Sequence, residues 1–370
     1  MQVKSKNKLV NFSKSKKIII LILLGLWIFL LFWKTIVHFE YTPKTFLLLF
    51  DLKRFMPIDI AYLGKHWLST FKNYLLLLGF IVAAYGIGTW CLKEIFKLTC
   101  SRLEKFLYAM CLGCLALSMV IFFLGIVGAY KQNIFWIIYI VVVSMGGTIT
   151  WLNRKELIPQ SGWLLGKKFS LDYVLGIVLL LLISLALLTT NAPEIFFDCL
   201  VYHLAVPAQW VTAGGLQYLP SNFFSNFPMN IEMLYTGALL LGDERLARLW
   251  HLSLGILTAL SIMAMGRSWF DRKTGFWAAG IFFSIPVVLL NMQVAGADVG
   301  ATFFAILSIQ AALTWVFRLP NKTQWLILSG VLAGTALGSK YNMIFVLGPS
   351  WLVIAILAYS NIKLRILSGG

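Results

Sequence analysis

"LDYVLGIVLLLLISLALLTTNAPEIFFDCLVYHLAVPAQW", residues 171–210, changes character halfway. Its first part is an apolar run of the length that crosses a bilayer, about 20 residues. Its last part, "FFDCLVYHLAVPAQW" at 196–210, stays greasy yet carries an acid, a tyrosine and a histidine within six residues. A span followed by such a stretch predicts a membrane protein whose chemistry lies just beyond a helix end.

The rest of the chain agrees. Of its 370 residues 60% are hydrophobic and only 12% charged. The mean hydropathy of +0.84 is far above that of a soluble domain. The fold expected is an all-α polytopic membrane protein. Lys and Arg number 31 against 14 Asp and Glu, a net charge of +17. In a soluble protein that excess would suggest nucleic acid; here it reads as cytoplasmic loops rich in cations, with no nucleic-acid partner. Lys4, Lys6, Lys8, Lys14, Lys16 and Lys17 precede a long apolar run without a small-residue cleavage site, which reads as an anchor with a cytoplasmic N-terminus.

About ten spans are predicted, near 18–37, 74–92, 107–129, 134–152, 172–190, 246–266, 275–293, 299–317, 325–341 and 343–360. The loops that parity assigns to the cytoplasm carry Lys93, Lys97, Arg102 and Lys105, then Arg154, Lys155, Lys167 and Lys168, then Arg267, Arg272 and Lys273. Arg318 and Lys322, and then Lys363 and Arg365, continue the pattern. Segment 38–73 fits least, because parity puts it outside although it holds five cations; it is expected to lie along the surface as an amphipathic helix. The other long exterior segment is 191–245, expected to form two short helices at the membrane surface around the turn "LPSNFFSNFPMN". Two regions follow: a four-span N-terminal part, 1–170, and a core, 171–370, meeting in the basic loop 153–171.

Cys91, Cys100, Cys111, Cys114 and Cys199 suggest no disulfide framework, and the CxxC at Cys111 and Cys114 reads as small residues inside an apolar helix. Ionisable groups near hydrocarbon are costly and become functional candidates. Asp198, Asp298 and Lys340 all fall at outer helix ends, and Arg245, Arg248 and His251 enter the membrane from that side. Asp198 and Tyr202 share a helix face, with His203 beside them and Glu232 in the second short helix. For the two acids, helix capping is the plainer role. For Glu232 it is a solvated charge, and for the histidines neutral hydrogen bonding.

"FFDCLVYHLAVPAQWVTAGGLQYLPSNFFSNFPMNIEMLY", "GDERLARLWHLSLG", "AGADVGATFFAILSIQAALTW" and "GVLAGTALGSKYN" together resemble the bacterial membrane glycosyltransferases of the C superfamily, relatives of protein O-mannosyltransferases and the aminoarabinose transferase. The resemblance covers roughly 172–360. It implies transfer of a hexosyl or pentosyl group from a polyprenyl-phosphate sugar donor to a lipid, glycan or protein acceptor, at the exterior face of the inner membrane. It assigns Asp198 as catalytic base, Asp298 as the second acid, and Lys340 to the phosphate with Arg245 or Arg248; Tyr202, His203, Glu232, His251 and Tyr341 become substrate contacts. Cys199 stands where the mannosyltransferases have the second residue of an Asp-Glu pair, which leaves a divalent metal as an open alternative. The chain ends at 370 without the large exterior domain of many relatives. Outside this resemblance, a transporter or flippase, or a non-catalytic assembly subunit, is the competing class.

Overall fold

The computed structural model describes residues 60–154 and 171–367 together with Leu26, with side chains over 67–154 and 171–360. The 18–37 span apart from Leu26, residues 38–59 and most of the 153–171 loop, where the two expected regions meet, lie outside the described residues, while 60–73 of the expected surface segment begin a long helix that continues into the 74–92 span. Trp67–Gly370 form one compact unit.

Twelve helices are described, and no strand occurs among the described residues. They are α1 (Ile60–Trp90, continued by a π-helical turn Cys91–Ile95), α2 (Arg102–Ile126), α3 (Gln132–Leu152), α4 (Leu171–Thr189), α5 (Ala205–Ala213) and α6 (Asn230–Leu241). Then come α7 (Glu244–Trp269), α8 (Arg272–Ser284), α9 (Pro286–Met292), α10 (Asp298–Phe317), α11 (Gln324–Ser339) and α12 (Ile344–Leu367). Local chemistry sets several starts. Ser101 and Glu104 close a capping box on α2, and Asp271 accepts from the Lys273 and Thr274 amides at the start of α8.

Among the described residues seven helices are long and apolar enough to cross a membrane, or up to eight if one bent pair is counted as a span. The expected span 275–293 is that pair, α8 and α9, bent by 75°. Pro286 starts α9 and holds Ile285 extended (ψ 120°), so the helix cannot run through. The expected span 325–341 is the 16-residue α11, shorter than the others, and it stops where Lys340 turns extended.

Burial separates an inner from an outer layer. Most of the apolar window of α10 (72%) and of α7 (61%) is covered by protein, against 11% of α3, 6% of α4 and 17% of α12. The outer helices therefore present apolar side chains such as Ile137, Leu180 and Phe345 away from the core, as lipid-facing helices must. The two short helices of 191–245 exist as α5 and α6, but α6 is not a surface helix: every residue except Leu239 is buried, against α2, α3, α5, α7 and α11. Its sequence has no polar face to offer water.

α1 crosses α2 and α3 backbone to backbone. A Cβ on Gly113 would stand 1.8 Å from the Ala84 carbonyl oxygen, and one on Gly86 would stand 2.1 Å from that of Gly146. Small residues allow this approach, which earns dispersion and weak polar contact where no hydrophobic effect operates between helices. Gly113→Ala should lower stability by about 2 kcal/mol, read as a lower thermal midpoint of the full chain in detergent. Gly334→Ala on α11, where a Cβ meets nothing within 4 Å, should not.

Candidate functional site

The site is built on the chain after α4. Pro193 and Glu194 end the helix in an extended stretch, a single α-helical turn follows, and Cys199–His203 then form a π-helical turn closed by Leu204 N–H donating to the Cys199 carbonyl at 2.9 Å. Such turns are rare and recur at functional sites. Asp198 precedes this turn, but its side chain makes no capping bond. Among the described residues no hydrogen bond or ion pair engages its half-buried carboxylate. That leaves a carboxylate with all its acceptor capacity unspent.

The neighbouring groups converge on Tyr202. Burial first, then the fields of Asp198, Glu232 and Asp298, push its phenol well above the usual tyrosine range. The hydroxyl therefore keeps its proton at any working pH and can serve as a donor. Its ring lies 4.0 Å from that of His203 and stacks on Phe224 at 4.8 Å and 17°. Phe227 meets Tyr202 edge-on at 6.4 Å and Tyr341 at 5.3 Å, so Tyr341, 55% exposed, closes an aromatic wall.

Three pairs surround this wall. Lys340, in the extended link between α11 and α12, donates to Asp298 Oδ1 at 2.5 Å, with 23% and 44% of the two side chains exposed. Asp298 opens α10 but spends its carboxylate on Lys340 instead of capping the helix. His203 Nδ1 donates to Glu232 Oε1 at 2.5 Å; both are buried, which excludes the solvated-charge reading of Glu232. The second oxygen of Glu232 has no partner among the described residues. Asn230, one helical turn's start before Glu232, donates to Ser339 Oγ beside Lys340 at 3.3 Å.

The expected arginines are placed otherwise. Arg245 grips Asp243 with Nε and Nη2 and reaches Ser69 and Thr70, tying α7 to α1. Arg248 donates to the carbonyls of Gln293 (2.8 Å), Thr189 (2.9 Å) and Ala192. Their donors are thus committed to the fold, and the structure brings neither to the Lys340–Asp298 pair. His251 is fully buried, with Nδ1 donating to the Val294 carbonyl at 2.7 Å and Nε2 without a partner among the described residues.

Two groups escaped the sequence analysis. Glu194, 6% exposed, accepts from three backbone amides and pairs with Arg248; Tyr235 is buried with its hydroxyl on the Gly296 carbonyl. An acid after a proline at a helix end looks like solvated loop, and a tyrosine in an apolar helix looks like core. The one available signal was the run "NAPEIFFDC", which places a second acid so near Asp198.

A cavity of about 700 Å³ opens between α2, α6 and α11, lined by Met119, Phe122, Met233 and Val331 among others. Phe227 and Asn230 line it as well, so it shares a wall with the charged cluster. Among the described residues no three of His, Cys, Asp and Glu come together as a metal would need. Asp298 is held by Lys340.

The buried and the exposed pair should respond differently. Glu232→Ala leaves a buried nitrogen of His203 without its partner and is expected to cost about 1–3 kcal/mol. Asp298→Asn breaks a solvent-screened pair and should cost no more than about 1 kcal/mol. Thermal unfolding of the purified full chain measures both.

Comparison with known proteins reaches the later part of the chain. Residues 211–368 match the family model for dolichyl-phosphate-mannose-protein mannosyltransferase. An uncharacterized protein of Shigella flexneri is 27% identical over 194 residues, 50% of this chain and 90% of that protein. No solved structure matches. The matched region takes in α6 to α12 and with them Glu232, Asp298 and Lys340, whereas Glu194, Asp198 and His203 precede it. Residues 211–368, somewhat less than half of the chain, are thus similar to the dolichyl-phosphate-mannose-protein mannosyltransferases.

Proposed function

We propose that the chain is a membrane glycosyltransferase that moves a sugar from a polyprenyl-phosphate donor to an acceptor hydroxyl, with the site on the exterior side of a bacterial inner membrane. The observation that carries this reading is an unengaged carboxylate, Asp198, whose field is shared at Tyr202 with that of Asp298, the partner of Lys340. The family match supplies the donor class.

In this reading the acceptor hydroxyl oxygen attacks the anomeric carbon while the bond from that carbon to the donor phosphate oxygen breaks. The bonding pair leaves with the phosphate, and the acceptor proton passes to Asp198. A carboxylate is a weak base for a hydroxyl. It suffices when the transition state is oxocarbenium-like and the proton moves late, as in glycoside chemistry. Lys340 answers the charge growing on the phosphate, a charge-assisted bond strengthened in a partly dry site. Asp298 holds Lys340 in place and offers its free oxygen to a sugar or acceptor hydroxyl. Tyr202 donates its hydrogen bond, and the ring faces of Tyr202 and Tyr341 suit the apolar face of a sugar. The cavity beyond Phe227 suits the first isoprenoid units of the donor, so that the aromatic wall divides polar head from apolar tail.

Asp198→Asn keeps the shape and removes the base. With a polyprenyl-phosphate sugar supplied to the purified protein, transfer should fall about a thousandfold or more, with the protein still inserted and folded. Lys340→Met should also depress transfer. Full activity of Asp198→Asn would remove the assignment, and uptake of sugar into vesicles without transfer would favour a transporter.

A further inference from the structure

Four consecutive residues ahead of Asp298 are each held by a different buried side chain. The Gln293 carbonyl accepts from Arg248, the Val294 carbonyl from His251, and the Gly296 carbonyl from Tyr235, while the Ala295 amide donates to Glu194 Oε2 at 3.0 Å. Three of these grips come from α6 and α7. The fourth, Glu194, belongs to the segment that carries Asp198. Its other oxygen, Oε1, accepts from the amides of Ile195 and Phe196, both at 3.0 Å.

We infer that Glu194 is a positioning residue for the transfer reaction: one buried carboxylate fixes the Asp198 segment and the Asp298 segment against each other. The inference rests on the reading that these two acids serve one site. Neutralising Arg248 is the alternative role, and distances decide against it as the main one. Arg248 Nε stands 3.5 Å from Glu194 Oε2 but 2.8 Å from the Gln293 carbonyl, whereas the amides lie at 3.0 Å from the carboxylate. The guanidinium is chiefly served by carbonyls, and the carboxylate chiefly by amides. The levers are also short, since Asp198 follows Glu194 by four residues and Asp298 follows Ala295 by three. A shift at the carboxylate therefore reaches both reacting groups, and misplacement of about 1 Å can cost two orders of magnitude in rate.

Glu194→Gln keeps the size and one acceptor oxygen but turns an NH2 group toward amides that are themselves donors. Hydrogen exchange of the full chain, followed by mass spectrometry, should then show the amides of whichever segment faces the NH2 group, 195–196 or 295, exchanging about tenfold faster or more, while α2 and α6 exchange as in the unaltered protein. In the sugar-transfer assay kcat should fall about a hundredfold with the donor KM within about threefold. Glu194→Asp keeps the charge but is one methylene shorter, so it should free only one of the two segments; it also carries the test if the Gln variant does not insert. Unchanged exchange in both variants or an undiminished kcat would overturn the inference. The exchange result does not depend on any activity. A chain with no sugar transfer would thus sink the proposed function, whereas an active chain with an indifferent Glu194 would sink only this inference.

Discussion

A charge inside an apolar protein must be answered where it stands, because the loss of hydration costs several kcal/mol per ion. Glu194 and Arg248 meet that condition jointly. Each is almost wholly buried, and each spends its hydrogen-bonding capacity on backbone groups of loops that would otherwise end blind: the last turn of α4, the stretch after it, and the turn between α9 and α10. Arg248 sits on α7, one of the two most enclosed long helices, so these loops are fastened to the part of the molecule least able to move. Three helix ends and two acid-bearing segments depend on this single buried pair.

The polar groups near it fall into two kinds. Arg245, Arg248, Glu194 and the His203–Glu232 pair are largely spent on other protein groups and hold elements together. Asp198, Lys340 and Asp298 are part-exposed and keep capacity for a ligand. Binding sites need this division, because a reacting group is placed to within a fraction of an ångström only when its supports are themselves satisfied. Between the two kinds stands the aromatic wall of Tyr202, Phe224, Phe227 and Tyr341, which separates charge from an apolar cavity without itself needing hydrogen-bond partners beyond two phenols. The same contrast of greasy and polar surfaces organises the whole fold, from α3, α4 and α12 outside to α7 and α10 within.

Helix existence was legible residue by residue. Long apolar runs marked α2, α3, α4, α7, α10 and α12. The break at Pro286 was visible as a proline but hidden inside a hydropathy average that cannot see a missing N–H. The enclosure of α6 could not be read locally, since a short apolar helix looks the same on a membrane surface as in a core. Of the candidate residues, Asp198, Tyr202, His203, Glu232, Asp298, Lys340 and Tyr341 do come to one neighbourhood. They stood out because ionisable groups in greasy sequence are expensive. Arg245 and Arg248 stood out for the same reason, and cost alone did not distinguish a group that acts from one that braces.

By itself, then, the sequence determined that the chain is helical and membrane-embedded, with its costly ionisable groups at helix ends, because hydropathy and charge are properties each residue carries wherever it goes. Which arginine was already spoken for, which acid was left free, and that Glu194 joins two segments about a hundred residues apart were decided only in three dimensions, since a hydrogen bond is a relation of distance and angle between groups that the order of the chain does not contain.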